Sequence, residues 1–228
     1  MAFDPEHRLV LDVVFGKRSA TKILELLRGV KRQLQDRVPR LVTSDEFSSY
    51  LTTLRQVWPQ AAATREPDQR CTTRTRYKLP RTTTPDPTLN YATVCKQREQ
   101  GRVVSVRRSV VVGTEQSVAA ALRESSVSCT INTSFLERHN ATDRHRNARK
   151  ARRTYRFSKD WDLHHAVGYF AYFTYNFCWP VRTLAEPIKD PQGQAKRSPR
   201  TPAMSAGLTD HVWPLQEWLE YPVAGLSN

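Results

Sequence analysis

Residues 8–58 alternate between strand-like and helix-like patterns, and that order constrains the fold more than any other feature of this 228-residue chain. Arg8 to Phe15 (RLVLDVVF) is β-branched and almost continuously apolar, as a buried strand is. Gly16 ends it, and Ser19 is placed to cap a helix over about residues 20–35, with Ile23, Leu27, Val30 and Leu34 on one stripe. Pro39 breaks that pattern. Leu41 to Asp45 reads as a short second strand with an acid at its C-terminal end. Residues 47–58 read as a helix whose core face is Phe47, Tyr50, Leu51, Leu54 and Trp58. Strand, helix, strand, helix predicts an α/β layout with parallel pairing.

Beyond Gln60 the pattern changes. The segment to about Asn90 holds Pro67, Pro80, Pro85 and Pro87 among threonines and arginines, the composition of a loop or insertion. Tyr91–Gln97 and Arg102–Val112 predict a hairpin turning at Glu99-Gln100-Gly101. A helix follows over 115–123, and another starts near Asn132 or Thr133. Residues 160–179 predict a helix carrying Trp161, Tyr169, Phe170, Tyr172, Phe173, Tyr175 and Phe177, read as core. His164 and His165 beside it are expected to pack or face solvent. The chain thus divides into residues 1–59, an insertion over 60–90, a second core part over 91–179 and a tail over 180–228. That tail is rich in proline and basic residues to Pro202, with an apolar cluster of Trp213, Trp218 and Leu219.

Lysine and arginine number 36 against 22 acids, a net charge of +14, which points to a polyanionic partner, most simply nucleic acid. Cys71, Cys95, Cys129 and Cys178 form no CxxC pair, which argues against a zinc ribbon and for reduced thiols. No apolar run is long enough to span a bilayer and no basic-then-apolar leader opens the chain, so a cytoplasmic address with no membrane partner is expected.

One acid stands apart. Glu137 lies in Ile131-Asn132-Thr133-Ser134-Phe135-Leu136-Glu137-Arg138-His139-Asn140, amid arginine and histidine. On a helix Asn140, Ala141 and Arg144 share its face. Eight Lys or Arg residues lie between Arg138 and Arg156 against one acid, Asp143. Such a run is either a solvated face or a set of phosphate contacts, which position a nucleic acid without reading its sequence.

These residues, with others in the same order along the chain, resemble the DDE transposases of bacterial insertion sequences, most closely the group around insertion sequence one. NTSFLERHN followed by Arg144 resembles the family's glutamate helix. TSDEFSSY resembles its second acid motif, a strand ending in Asp45 with Tyr50 on the next helix, and TYNFCWPVRTL (Thr174 to Leu184) resembles its closing motif. The resemblance implies a ribonuclease-H-like α/β fold. It also implies cleavage and transfer of DNA strands through two Mg²⁺ (or Mn²⁺) ions, roughly 4 Å apart, on which carboxylates from different elements converge. Asp45 and Glu137 are then the catalytic, metal-binding acids. Arg138, Asn140, Arg144, Arg146, Arg149 and Lys150 become the candidate DNA contacts. Transposon ends and target DNA are the implied partners, with a homo-oligomer possible in such a family.

The chain departs from the pattern at its first acid. Asp4, followed by Pro5, reads as a turn between the family's second and third strands, and Asp12 falls in the third. The fold is therefore expected to be incomplete at its first strand, and the chain alone to have little or no strand-transfer activity. Two other readings stay open: a basic DNA-binding remnant without catalysis, and a metal-dependent nuclease of the same fold.

Overall fold

The computed structural model describes residues 1–60, 84–151, 155–189 and 194–221. It is a mixed α/β protein that divides into two compact units, Gly16–Thr133 and Met1–Phe15 with Ser134–Asn228.

In the unit Gly16–Thr133, the first helix, α1 (Ala20–Gln33), starts where Ser19 predicts, its hydroxyl accepting from the Lys22 amide at 3.3 Å. Ile23, Leu26, Leu27 and Val30 are its buried face. That face packs on α2 (Ser49–Val57), which contributes Thr53, Leu54 and Val57 with Trp58 just beyond. Between them runs β3 (Val42–Ser44), numbered after two strands of the other unit. It pairs in parallel with β4 (Tyr91–Glu99), and β4 pairs antiparallel with β5 (Arg102–Val112), giving the order β3-β4-β5. Gln100 and Gly101, at φ of 47° and 81°, make the left-handed two-residue turn a tight hairpin needs. The helix α3 (Glu115–Glu124) opens with a reciprocal cap between Thr114 and Ser117. The proline-rich insertion leaves and returns through one neck: the Asp86 amide donates to the Trp58 carbonyl at 2.9 Å and the Gln60 amide to Thr84 at 2.8 Å. Residues 61–83, most of that insertion and Cys71, lie outside the described part.

The other unit begins with β1 (Ala2–Asp4) antiparallel to β2 (Leu9–Asp12). Asp4 closes the first strand at a turn, as its neighbour Pro5 suggests, and its carboxylate accepts from the Glu6 amide at 2.9 Å. The expected parallel pairing of the first two strand-like segments is corrected here, because β2 pairs with β1 and β3 with β4, in separate sheets. Pairing is a non-local choice, and the three residues of β1 are too few to show a period. The long helix α5 (Trp161–Cys178) is capped by Asp160, which accepts from the Leu163 amide at 2.6 Å. Val10, Val13, Tyr172 and Tyr175 form the buried cluster, with Met1, Phe3, Phe15 and Val181 against it. Asn176 of α5 acts as a strand edge: its Oδ1 accepts from the Val10 amide at 3.0 Å and its Nδ2 donates to the Val10 carbonyl at 2.8 Å.

The aromatic helix is core only in part. Tyr172 and Tyr175 are buried, whereas Trp161, Tyr169 and Phe170 remain exposed. A helix offers one stripe to a core, and aromatics spread round α5 cover more than that stripe. The tail beyond Pro180 holds structure the sequence pattern does not announce: a hairpin of β6 (Glu186–Lys189) and β7 (Ala195–Ser198), then α6 (Pro202–Ser205) and α7 (Leu215–Glu220). Trp213 packs on Phe177 at 4.7 Å and Trp218 on Phe170 at 5.4 Å, so the two tryptophans of the apolar cluster read from the tail dock on α5, while Leu219 stays exposed.

Gly168 of α5 faces Phe15, and a Cβ there would lie 2.7 Å from Phe15 Cε1. The ring has little room to yield, with His165 at 5.1 Å and Tyr169 at 5.2 Å. Gly168→Ala is expected to destabilise by about 1–3 kcal/mol, although alanine favours helix. Combining it with Phe15→Leu should recover part of that loss in urea titrations. A stabilised single variant would show that the ring moves freely.

Candidate acid and cation sites

Asp45 follows the last residue of β3, and its position is fixed from behind. Ser44 is buried, donates to the Asp45 carbonyl at 2.7 Å and shares a hydrogen bond with the Tyr91 hydroxyl at 2.8 Å. The carboxylate of Asp45 is exposed and forms an ion pair with the Arg18 guanidinium, also exposed. Arg18 in turn lies 4.3 Å from the Phe47 ring centroid and 5.9 Å from that of Tyr50. The Tyr50 hydroxyl is held above its ordinary pKa by burial and then by the charge of Asp45, with Arg18 pulling the other way. The structure thus brings Asp45 and Tyr50 together around a guanidinium that the sequence reading did not single out. An ion pair this exposed contributes little stability, so Arg18 is a removable partner for the acid.

The glutamate helix is α4 (Ser134–Arg146), with Glu137 exposed in its first turn, where the helix dipole favours a carboxylate. Arg138 and Arg144 are also exposed, and Asn140 is half-buried. The face that packs inward is polar. His139 and Asp143, one turn apart, are 6% and 7% exposed. The Asp143 carboxylate accepts from Lys150 Nζ at 2.9 Å and from the Tyr172 hydroxyl at 2.9 Å. The Lys150 ammonium lies 4.1 Å from the Tyr172 ring centroid. Burial, then the charge of Asp143, holds the Tyr172 phenol well above its ordinary pKa.

His139 sits among rings, 4.9 Å from Phe3 and 4.6 Å from Tyr175 between centroids. Among the described residues its buried Nε2 has no hydrogen-bond partner. Burial drives its pKa down to about 4; Asp143 opposes that shift, while Arg146 and Lys150 add to it.

Two of the predicted DNA contacts have partners within this unit. Arg146 lies 3.8 Å from the Trp179 ring centroid and 5.3 Å from that of Tyr175, and Lys150 is held by Asp143. Arg149 is half-buried in a short 3-10 turn (Ala148–Lys150), its amide donating to Asn147 Oδ1 at 3.1 Å. Asn140, Arg144 and Lys150 do converge, however. With Asp143, Phe15 and Tyr172 they line an open pocket of about 300 Å³. Asp143 offsets the charge of Lys150 there, which leaves Arg144 as the cation without a carboxylate partner among the pocket's lining residues. His164 and His165 pack, as expected: Trp161 stacks on the first at 5.4 Å and Phe15 lies 5.1 Å from the second.

Asp45 belongs to one compact unit and Glu137 to the other. Among the described residues no group of three His, Cys, Asp or Glu side chains is arranged to hold a metal ion. Cys95, Cys129 and Cys178 are free thiols. No described helix is long and apolar enough to cross a membrane. Comparisons with protein-family models, with curated proteins and with solved structures return no match.

Proposed function

We propose that the chain is a DNA-binding protein of the DDE transposase type, with a ribonuclease-H-like catalytic region for cleaving and transferring DNA strands. The observation that carries this reading is the placement of Asp45: an exposed acid ending a strand of a mixed sheet, with Tyr50 of the following helix beside it. Glu137, with Asn140 and Arg144 three and seven residues on, supports it. So does the net charge of +14. Mg²⁺ takes oxygen ligands, and the exposed carboxylates of Asp45 and Glu137 are each donors of that kind. Arg18 competes for Asp45. With two acids assigned where such sites use more, little or no strand transfer is expected of this chain alone.

A second reading, a basic DNA binder without catalysis, is favoured by the Arg18–Asp45 pair, because a guanidinium neutralises the same acid a metal would need. Nicking of supercoiled plasmid with Mn²⁺ separates the two. The first reading expects slow nicking that Asp45→Asn and Glu137→Gln each abolish, with DNA affinity kept within about threefold, since neither removes a phosphate-contacting cation. Tight, salt-sensitive binding with no nicking by the unaltered chain establishes the second. Arg144→Gln should weaken binding under either, flattening the dependence of log K on log salt by about one unit.

A further inference from the structure

We propose that the β4–β5 hairpin is a second DNA-binding element, a two-stranded ribbon that enters the major groove of duplex DNA. The inference rests on the DNA-binding reading above and assigns it a surface outside α4. The hairpin begins inside its unit and ends outside it. Tyr91 to Val94 are buried, whereas every residue from Gln97 to Arg108 is exposed. The exposed stretch takes three residues of β4 (Gln97–Glu99) and seven of β5 (Arg102–Arg108), so at about 3.3 Å each it runs roughly 10 Å along the first strand and roughly 23 Å along the second. Arg98, Arg102, Arg107 and Arg108 lie on this stretch against one acid, Glu99, with the half-buried Lys96 just before it. The register puts Arg98 opposite Val103, Lys96 opposite Val106 and Val94 opposite Arg108. One face of the ribbon therefore alternates cations with valines, while Arg102, opposite Glu99, projects from the other face at the tip.

That face fits a groove better than a protein core. Val103, Val104 and Val106 are 45%, 52% and 39% exposed, too scattered among cations to pack on an apolar partner. Strands about 4.8 Å apart with their side chains match a major groove about 12 Å wide, which admits a two-stranded ribbon. There, arginine recognises guanine N7 and O6, and a small apolar side chain meets the thymine methyl. The base of the hairpin is anchored: Arg107 donates to both oxygens of Glu46 at 2.9 and 3.1 Å, and Arg108 Nε donates to the Ile131 carbonyl at 2.8 Å. Among the described residues no ion pair engages Arg98 or Arg102 near the tip, so both are available to phosphate or base.

The test uses the full chain, a fluorescent duplex of about 30 base pairs and anisotropy at four salt concentrations, with guanine-N7 methylation interference on the same duplex. For Arg98→Gln with Arg102→Gln we expect affinity to fall about tenfold at low salt, the slope of log K against log salt to flatten by up to about two units, and N7 interference to disappear. Circular dichroism and melting should match the unaltered chain, since both residues are at an exposed tip. Replacing both arginines by lysine should keep the slope and weaken N7 interference without abolishing it, because lysine can still donate to N7 but lacks the rigid planar fork. If the glutamine variant binds and interferes like the unaltered chain, the ribbon proposal falls and the DNA reading stands. If the slope flattens without any N7 interference in the unaltered chain, the hairpin touches only backbone and the groove assignment falls. If the unaltered chain shows no salt-sensitive binding, the DNA reading falls and takes this one with it.

Discussion

Asp143→Ala is expected to lower the stability of the unit containing α4 and α5 by about 3–5 kcal/mol, the range for breaking a buried ion pair from one side. The substitution leaves the Lys150 ammonium, 14% exposed, and the Tyr172 hydroxyl without the carboxylate each donates to. The Phe15 and Tyr172 rings on either side of Lys150 hold it over the vacated site, so only water entering through the open pocket they line can offset the loss. Lys150→Met should cost a similar amount for the opposite reason, since it strands a buried carboxylate. The pair replaced together, Asp143→Leu with Lys150→Met, should regain much of the loss, because two desolvated charges are removed at once. Urea titrations read all three. Single variants within about 1 kcal/mol of the unaltered chain would show that solvent reaches this pair and that it holds nothing together.

Acid should unfold the same unit through His139. Its pKa is about 4 in the folded chain against 6.5 ordinarily, so the unfolded state binds the proton more readily. Stability is therefore fully present above pH 6.5 and lost as pH falls from 6.5 toward 4. About two and a half units correspond to roughly 3 kcal/mol at the low end of that window. His139→Phe fills the ring-lined site among Phe3, Tyr172 and Tyr175 with a group that does not titrate. Its stability should be flatter over this window, and the difference between the two pH profiles isolates His139 from the carboxylates that titrate nearby. Parallel profiles would mean that the imidazole takes up its proton without leaving its place.

Local signals were legible because they are written in neighbouring residues. Ser19 announces α1, Gln100-Gly101 the hairpin turn, and the apolar stripe of residues 23–30 the face that packs. Pairing partners were not legible. β2 and β3 read as neighbours in one sheet, but β2 pairs with a three-residue strand whose sequence, Ala2-Phe3-Asp4, has no discernible period. The inward face of α4 escaped for another reason. Periodicity finds buried faces by their apolar residues, and this one buries a histidine and an aspartate, which read as surface. Only the spacing of four between His139 and Asp143 hinted at a shared face. The helical setting of Glu137 and the end-of-strand position of Asp45 were readable. Arg18, 27 residues before Asp45 and joined to it only by folding, was not.

The amide of Asn176 completes the edge of a strand made 166 residues earlier. A ribosome adding about 5–20 residues per second needs roughly 10–30 s to bring the two together. Throughout that interval Val10 and Val13 have no α5 to cover them, and the outer edge of β2 offers an unmatched amide and carbonyl to any passing strand. Nascent chains should consequently lean on a holding chaperone over their first segment. A circular permutant that places residues 1–15 directly after the tail would synthesise this unit as one continuous stretch and should relieve that dependence.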